Sequence, residues 1–268
     1  MGNEDSRRTT KIVSTHSYRG GTGKSNITAN MASTLATMGK RVGVVDTDIQ
    51  SPGVHVLFKV EPNTLKLTLN DFLWGRCEVA DTAVEVTSGI VDAQGQPVVE
   101  PPGAVFLVPS STKAGEIARI IKEGYDVNIL NEGFNKLGED LSLDYLFIDT
   151  HPGMNEETLL SIAISDALFL ILRPDLQDYQ GTAVTLEVAR RLEVPQLLLI
   201  VNKALSSFDF LELSQRITST YQTPVGAVLP LSEDMVRLGS GGLLSILEPD
   251  HPFSRGINEL IDFLENDD

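Results

Sequence analysis

The sequence predicts a single α/β domain with a mostly parallel central sheet and helices on both faces. Apolar runs alternate along the chain with amphipathic stretches of helical period, which is typical of strands joined by crossover helices. Several runs are continuously apolar, as in strands that helices cover on both faces. The 268 residues suit one large domain. We assign residues 1–9 to a disordered N-terminal segment and residues 10–268 to this domain.

The elements follow from the position and period of these runs. The apolar runs predict buried strands at 10–16, 41–46, 104–110, 144–150, 167–173, 196–202 and 225–230. The stretch 24–39 predicts a helix that stops just before its final glycine. Its apolar side consists of Ile27, Met31, Leu35 and Met38. Helical periods also cover residues 113–123, 128–138, 155–165, 180–192 and 209–220.

Residues 54–103 are the least regular part of the sequence. The stretch TLNDFLWG, residues 68–75, predicts a short helix. The stretch after it predicts a hairpin whose tip lies near Gln94 and Gly95. This segment is either a partner-binding insertion or a plain surface hairpin.

Charge and composition exclude several classes of protein. A formal net charge of −16 repels DNA and anionic lipid, and the densest basic cluster, Arg7, Arg8 and Lys11, is small. The N-terminus lacks the apolar stretch of a secretory signal, and no apolar run reaches the ~18 residues of a membrane helix. The single cysteine, Cys77, forms neither an internal disulfide nor a Cys-x-x-Cys metal site. We therefore expect a cytoplasmic protein that binds neither DNA nor membrane directly.

The stretch HSYRGGTGKSN, residues 16–26, joins the first predicted strand to the first helix. The common phosphate-loop pattern, G-x-x-x-x-G-K-[ST], requires a glycine where this chain has Tyr18. Backbone N–H groups at a helix start nevertheless bind phosphate oxygens, and Gly20, Gly21 and Gly23 permit a close approach. A glycine-rich turn without any ligand is the alternative.

Side chains of the right chemistry surround this loop in the predicted sheet. Lys24 can reach the β- and γ-phosphates of a nucleotide, and the Ser25 hydroxyl can ligate Mg²⁺. Asp46 and Asp48 follow one buried strand, and Asp149 ends another. Ligands of open α/β sheets bind at the carboxyl ends of the strands, where such carboxylates orient a water or hold Mg²⁺. Helix-capping or turn aspartates are the alternative.

Two further segments refine this picture. The stretch T-H-P-G after Asp149 is a loop that can sense a γ-phosphate, and we interpret His151 as structural because it precedes a proline turn. At the end of the stretch LLLIVNKAL, the Asn202 amide can pair with the edge of adenine. Guanine-selective sites read N-K-x-D, whereas the fourth position here is Leu205, which favours ATP over GTP.

Together these four segments resemble the MinD/ParA family of deviant Walker A ATPases, within the SIMIBI class of P-loop proteins. The family loop reads K-G-G-x-G-K-[ST], and residues 19–25 match it with Arg19 in place of the signature lysine. The D-x-D of the first family switch matches residues 46–48, and the D-T-x-P-G of the second matches residues 149–153. The resemblance runs from about residue 10 to residue 240.

The resemblance implies a Mg·ATP-dependent switch. Members of the family form a face-to-face homodimer with both nucleotides at the interface, and the signature residue reaches the phosphates of the partner. Hydrolysis, promoted by a partner protein, separates the dimer. Asp48 would orient the attacking water, with Arg19 and Lys24 as the other catalytic residues. The implied magnesium site consists of Ser25, Asp48 and Asp149. The implied nucleotide-binding residues are Gly20, Gly21, Thr22, Gly23, Lys24, Ser25, Asn26 and Asn202.

Features outside the site distinguish branches of this family. The chain lacks the Cys-x-x-Cys of metal-cluster carriers and the tyrosine-rich tail of bacterial kinases. Its C-terminal helix has an apolar face and an acidic face, which suits packing onto the domain or a partner helix. We therefore predict an ATPase, slow until a partner stimulates it, that positions or regulates a protein cargo. The alternatives are a nucleotide-gated scaffold with negligible hydrolysis and an ATP-dependent amide-forming ligase of the same fold.

Overall fold

Eight strands form one sheet in the computed structural model, which describes residues 10–266. The predicted N-terminal segment 1–9 lies outside the described residues. In chain order the strands are β1 (Lys11–His16), β2 (Arg41–Asp46), β3 (Val84–Glu85), β4 (Ala104–Val108), β5 (Tyr145–Asp149), β6 (Ala167–Leu172), β7 (Gln196–Ala204) and β8 (Val225–Pro230).

The strand order is β3-β4-β2-β5-β1-β6-β7-β8, with β3 antiparallel to β4 and every other neighbouring pair parallel. This confirms the predicted α/β fold with a mostly parallel sheet. The register pairs Asp149 with Asp46 on one side and with Thr15 on the other. The carboxyl ends of β2, β5 and β1 therefore meet at one point of the sheet edge.

The helices connect these strands and lie on both faces of the sheet. They are α1 (Lys24–Thr37), α2 (Val54–Leu57), α3 (Leu69–Leu73), α4 (Ala114–Glu123), α5 (Ile129–Asp140), α6 (Glu156–Ala163), α7 (Leu176–Arg191), α8 (Phe210–Tyr221), α9 (Glu233–Leu238), α10 (Leu244–Leu247) and α11 (Pro252–Glu265). The helix predicted at 180–192 begins earlier, at Leu176. The reason is a cap, because the Asp175 side chain accepts hydrogen bonds from the N–H groups of Gln177 and Asp178.

One face of the sheet is covered by α1 and α11. On α1 the predicted residues Ile27, Met31 and Leu35 are fully buried. The prediction is wrong for Met38, which is 52% exposed because it follows the last helical residue. Full burial of one side chain of this size stabilises the folded state by about 1.5–3 kcal/mol. The three buried residues therefore hold α1 firmly against the sheet.

The C-terminal helix α11 packs onto this same domain. Its buried apolar residues are Phe253, Ile257, Leu260, Ile261 and Leu264. They join the core that α1 forms with the central strands, and α11 also lies along β8. The opposite face of the sheet has its own core, in which Phe134 and Leu137 of α5 pack near Leu146 and Ile148 of β5.

The segment 54–103 consists of short helices, turns and the two-residue strand β3, which pairs with β4. An antiparallel bridge joins Val91 to Pro97, and Gly95 adopts a positive φ of 78° in the turn between them. The functional role predicted for this segment stays a prediction. Cys77 is half-buried there, with no disulfide. Among residues 10–266, no helix combines the length and the apolar composition that crossing a membrane requires.

Candidate nucleotide-binding site

The glycine-rich loop between β1 and α1 is fastened to the end of β7. The Asn202 side-chain amide donates a hydrogen bond to the Thr22 carbonyl, and the Lys203 ammonium donates one to the Gly21 carbonyl, both at 2.7 Å. A trans peptide unit points its N–H away from its C=O. Because both carbonyls face β7, the N–H groups of Thr22 and Gly23 point away from it and are available to a ligand.

Sequence reasoning missed Lys203 and assigned Asn202 to a different task. The Asn202 amide oxygen accepts the Lys203 N–H at 2.8 Å, so both ends of this amide bind protein groups. The predicted contact between Asn202 and adenine stays a prediction. The sequence places Lys203 near the end of a strand, next to Asn202, which is the one signal that could have identified it. Its contact with the loop depends on its left-handed φ of 58° and on the fold, neither of which the sequence shows.

Helix α1 begins directly from the loop, with Gly23 as its N-cap. Gly23 adopts φ 100° and ψ 18°, a left-handed conformation that favours glycine, and no side chain caps the helix start. The uncapped N–H groups of a helix start are an anion-binding feature. Lys24, only 7% exposed, is the first helical residue and adds its positive charge at this point.

Ser25 and Asp149 are paired beside the loop. The Ser25 hydroxyl donates to Asp149 Oδ2 at 2.6 Å, and the other carboxylate oxygen, Oδ1, is buried with no hydrogen-bond partner among the described residues. Burial raises the pKa of Asp149 above its ordinary value, whereas the positive charge of Lys24 opposes that rise. A hydroxyl and an unpartnered carboxylate oxygen are ligands that suit Mg²⁺, so these residues fit the predicted metal.

Asp46 has a structural role that differs from the role of its neighbour Asp48. Its buried carboxylate accepts hydrogen bonds from the backbone N–H groups of Asp48, Gly53 and Val54, and so shapes the loop after β2. Burial and the nearby charge of Asp149 raise the pKa of Asp46. Asp46 is the turn aspartate that sequence reasoning left as an alternative.

Asp48 lies at the mouth of the site and contacts His151. The distance between His151 Nδ1 and Asp48 Oδ1 is 2.7 Å, and their side chains are 23% and 17% exposed. The predicted residues Asp48 and Asp149 are therefore brought to one edge together with the loop. His151, interpreted from the sequence as structural, stands in direct contact with the predicted catalytic carboxylate.

A second histidine lies buried at the start of the loop. His16 Nδ1 is 2.7 Å from the Thr150 hydroxyl, which itself donates to the Thr15 carbonyl at 2.9 Å. Burial, with the charge of Lys24, lowers the pKa of His16 to about 3, so the ring is neutral. Because the single proton of the Thr150 hydroxyl goes to the Thr15 carbonyl, His16 Nδ1 is the donor in this contact. Sequence reasoning missed this bond, which joins the end of β1 to the loop after β5.

A cleft of about 200 Å³ opens beside the loop, next to Asn202. Gly23 and Asn26 line its inner end. Its outer wall is apolar and includes Pro230, Leu231, Met235, Val236 and Phe253. A polar inner end and an apolar wall are the usual lining of a site for a flat organic ring.

Comparison with known proteins identifies the family. The model of the AAA domain family AAA_31 matches residues 10–195, well over half of the chain. The chain belongs to the MinD/ParA family of P-loop ATPases.

Three similar proteins illustrate this membership. An ATP-binding protein of Methanocaldococcus jannaschii is 27% identical over 246 residues, which cover 91% of this chain and 83% of the relative. The flagellum site-determining protein YlxH of Helicobacter pylori is 30% identical over 171 residues, covering 64% of this chain and 51% of the relative. The structure of the septum site-determining protein MinD of Pyrococcus horikoshii, complexed with Mg-ADP, has a TM-score of 0.77 and 21% identity, covering 96% of both chains.

Arg19 stands where the MinD/ParA resemblance expects the signature lysine. Its side chain is exposed, and it forms no ion pair within the described part of the chain. Its charge contributes to lowering the pKa of Asp178, after the larger effect of hydrogen bonds from Arg173. The adjacent Tyr18 ring packs against Gly181 of α7, where an added Cβ would lie 2.4 Å from the ring. The loop backbone is thus anchored while the arginine side chain remains at the surface.

Proposed function

We propose that this MinD/ParA ATPase is a Mg·ATP-dependent switch that forms an ATP-dependent homodimer and positions or regulates a protein cargo. The observation that carries the proposal is the Ser25–Asp149 pair beside an uncapped helix start, with one buried carboxylate oxygen left without a partner. The Pyrococcus horikoshii protein is described with bound Mg-ADP, which supports the same pair of ligands here.

Each predicted residue has a distinct task in this proposal. The N–H groups of the loop, from Gly20 to Gly23, bind phosphate oxygens, and Lys24 binds the β- and γ-phosphates. Ser25 and Asp149 hold Mg²⁺, with Asp48 beside them at the outer side. Mg²⁺, when bound, neutralises the charge that develops on the transferred phosphoryl group. Asp48 orients the attacking water.

The base of the nucleotide would occupy the cleft beside the loop. Asn26 and Gly23 line the end of the cleft nearest the phosphate-binding groups. The apolar wall formed by Leu231 and Val236 would contact the faces of the ring. Leu205 replaces the aspartate that guanine requires, so we propose adenine as the base.

Arg19 would act across the dimer interface. A free, exposed guanidinium beside the phosphate-binding loop can reach a second nucleotide, and its planar fork binds phosphate bidentately. A cross-subunit arginine raises the rate of phosphoryl transfer by about 10³- to 10⁵-fold in other systems. Two similar proteins are named for determining the site of a flagellum and the site of a septum. These names support a positioning role for this protein.

Solution mass by light scattering tests the switch. We would compare wild type with Mg·ADP against Asp48→Ala with Mg·ATP, because loss of Asp48 should trap the ATP-bound state. The expected result is a monomer with ADP and a doubled mass with ATP. The matched control is Lys24→Ala in the Asp48→Ala background, which should stay monomeric because it lacks the phosphate-binding ammonium.

The outcomes separate the proposal from its main alternative. An unchanged mass in both nucleotide states would overturn the dimer. A dimer that forms with ATP, while wild type releases no phosphate with or without a cellular extract, would favour a nucleotide-gated scaffold. The specific observation behind that alternative is Arg19 itself, which replaces the family lysine and has no partner within residues 10–266.

A further inference from the structure

The loops that follow β2 and β5 are joined at two places. The backbone N–H and the hydroxyl of Thr47 both donate to the Asp149 carbonyl, at 3.0 and 3.1 Å. One residue after Thr47 and two residues after Asp149, His151 Nδ1 lies 2.7 Å from Asp48 Oδ1. A carboxylate only accepts hydrogen bonds, so His151 is the donor in this contact.

The backbone of His151 is held independently of Asp48. Its carbonyl accepts a hydrogen bond from the Thr158 hydroxyl of α6 at 3.2 Å. The preceding residue, Thr150, donates to the Thr15 carbonyl at 2.9 Å. The imidazole is therefore presented from a segment that is fixed on both sides.

The Asp48 carboxylate is held by one oxygen only. Oδ1 receives the Ser51 N–H at 3.1 Å and the His151 ring at 2.7 Å. Within residues 10–266, no hydrogen bond reaches Oδ2. One oxygen is thus fixed while the other remains available to a water.

Asp48 lies near other carboxyl groups at this edge of the sheet. Asp48 contributes to raising the pKa values of Asp46, Asp149 and Glu157, which shows that all three carboxylates lie within electrostatic range of it. Solvent is the direction open to the Asp48 side chain, which is 17% exposed at the mouth of the site. The His151 hydrogen bond is the side-chain contact that holds Asp48 toward the loop.

We propose that His151 is a positioning residue for the attacking water, because it fixes the Asp48 carboxylate so that its free oxygen faces the nucleotide. This inference rests on the proposed function, in which Asp48 orients the water. The loop after β5 begins directly after the metal-binding Asp149. Through the contact between His151 and Asp48, this loop also sets the position of the loop after β2. His151 itself does not touch the reacting atoms in this scheme.

Single-turnover hydrolysis with saturating Mg·ATP tests the inference. His151→Ala should lower the rate about 10- to 100-fold, the range expected when a reacting group is misplaced by about an ångström. Affinity for a fluorescent ATP analogue should stay within about twofold, because His151 contacts no phosphate-binding residue. His151→Asn should restore most of the rate, since its amide can donate from nearly the position of Nδ1.

A control and a second measurement keep the outcomes distinct. Glu156→Gln, at an exposed position in the first turn of α6, should leave the rate unchanged. A His151→Asn rate as low as that of His151→Ala, with both variants folded and binding ATP, would overturn the positioning role. An unchanged rate in His151→Ala would overturn it as well.

Failure of the proposed function gives a different pattern. If wild type itself shows no turnover with or without a cellular extract, the ATPase proposal fails, and the urea midpoints of His151→Ala, Asp48→Ala and the double variant then decide the contact. Midpoint shifts that are smaller in the double variant than the sum of the single shifts would support His151 holding Asp48. Additive shifts would overturn it.

Discussion

Replacing Gly23 with alanine tests whether the phosphate-binding loop is as closely packed as the structure shows. The added Cβ would lie 2.4 Å from the Asn202 side-chain nitrogen, a separation that real Cβ atoms do not show. Gly23 also has φ 100°, which alanine adopts only with strain. Asn202 is 6% exposed and has no room to retreat without breaking its bond to the Thr22 carbonyl.

The expected cost is the sum of two separable effects. A non-glycine residue in the left-handed region costs about 1–2 kcal/mol. Breaking the buried bond between Asn202 and Thr22 leaves polar groups unsatisfied, at about 1–3 kcal/mol. We therefore expect Gly23→Ala to lower the free energy of unfolding by about 2–5 kcal/mol. The assay is urea denaturation without nucleotide, with an unchanged m-value as the check on two-state behaviour.

Gly21→Ala is the matched control for this experiment. Gly21 has φ 75°, but an added Cβ would meet no atom within 4 Å, so this variant carries the conformational cost alone. The gap between the two variants measures the collision with Asn202. Combining Gly23→Ala with Asn202→Ala removes the obstructing nitrogen, so the double variant should lose less stability than the sum of the single changes. Equal stability of Gly21→Ala and Gly23→Ala would refute the reasoning.

Three further outcomes are expected. Asn202→Ala should weaken the binding of ATP and of GTP by the same factor, because the Asn202 amide holds the loop. A loss of about 1.4 kcal/mol of binding free energy corresponds to about tenfold in affinity. Calorimetry that finds weaker binding of ATP alone would instead support an adenine contact. Arg19→Ala should bind ATP within about twofold of wild type and lose most hydrolysis; phosphate release at the wild-type rate would contradict the cross-dimer role, and Arg19→Lys tests whether charge alone suffices. Without nucleotide, the contribution of Asp46 and Asp149 to stability should fall as pH rises above the ordinary aspartate value of about 4, because their pKa values are raised in the folded state and they therefore hold more protons there than in the unfolded chain. His16, whose pKa is lowered to about 3, contributes with the opposite sign up to its ordinary value of about 6.5, so the comparison of Asp149→Asn with wild type isolates the aspartate. Urea titrations between about pH 5 and 8 should show a smaller fall in Asp149→Asn than in wild type, and equal slopes would contradict this assignment.

The fold was predictable because its signals are local. Continuous apolar runs of strand length and helical periods between them identify a sheet covered on both faces, whatever the neighbours of each strand. The helix start at Leu176 was placed four residues late, because the cap from Asp175 precedes the apolar pattern. The two-residue strand β3 was not predicted, since two residues are too short to show a period.

The candidate site was predictable only in part, because several of its contacts depend on the fold. The loop, Lys24, Ser25 and Asp149 were assigned to the site from residue type and spacing, and the structure places the Ser25 hydroxyl 2.6 Å from Asp149 Oδ2. Asn202 was also assigned to the site. Its bond to the Thr22 carbonyl depends on the position of β7 beside a loop that lies 180 residues earlier in the sequence. A pattern at the end of one strand carries no information about which loop lies beside it.

The missing information is the order and register of the strands, as the contact between Asp48 and His151 shows. In the sequence, each follows a strand-ending aspartate by two residues, Asp46 in one case and Asp149 in the other. Once β2 and β5 are known to be parallel neighbours with Asp46 opposite Asp149, equal offsets place Asp48 beside His151. The same step, applied to β1 and β5, places His16 beside Thr150, because Thr15 lies opposite Asp149. The contacts of His151 with Asp48 and of His16 with Thr150 therefore each follow from local spacing once the pairing of two strands is known. In a parallel sheet, residues at equal distances from paired positions come together in neighbouring loops.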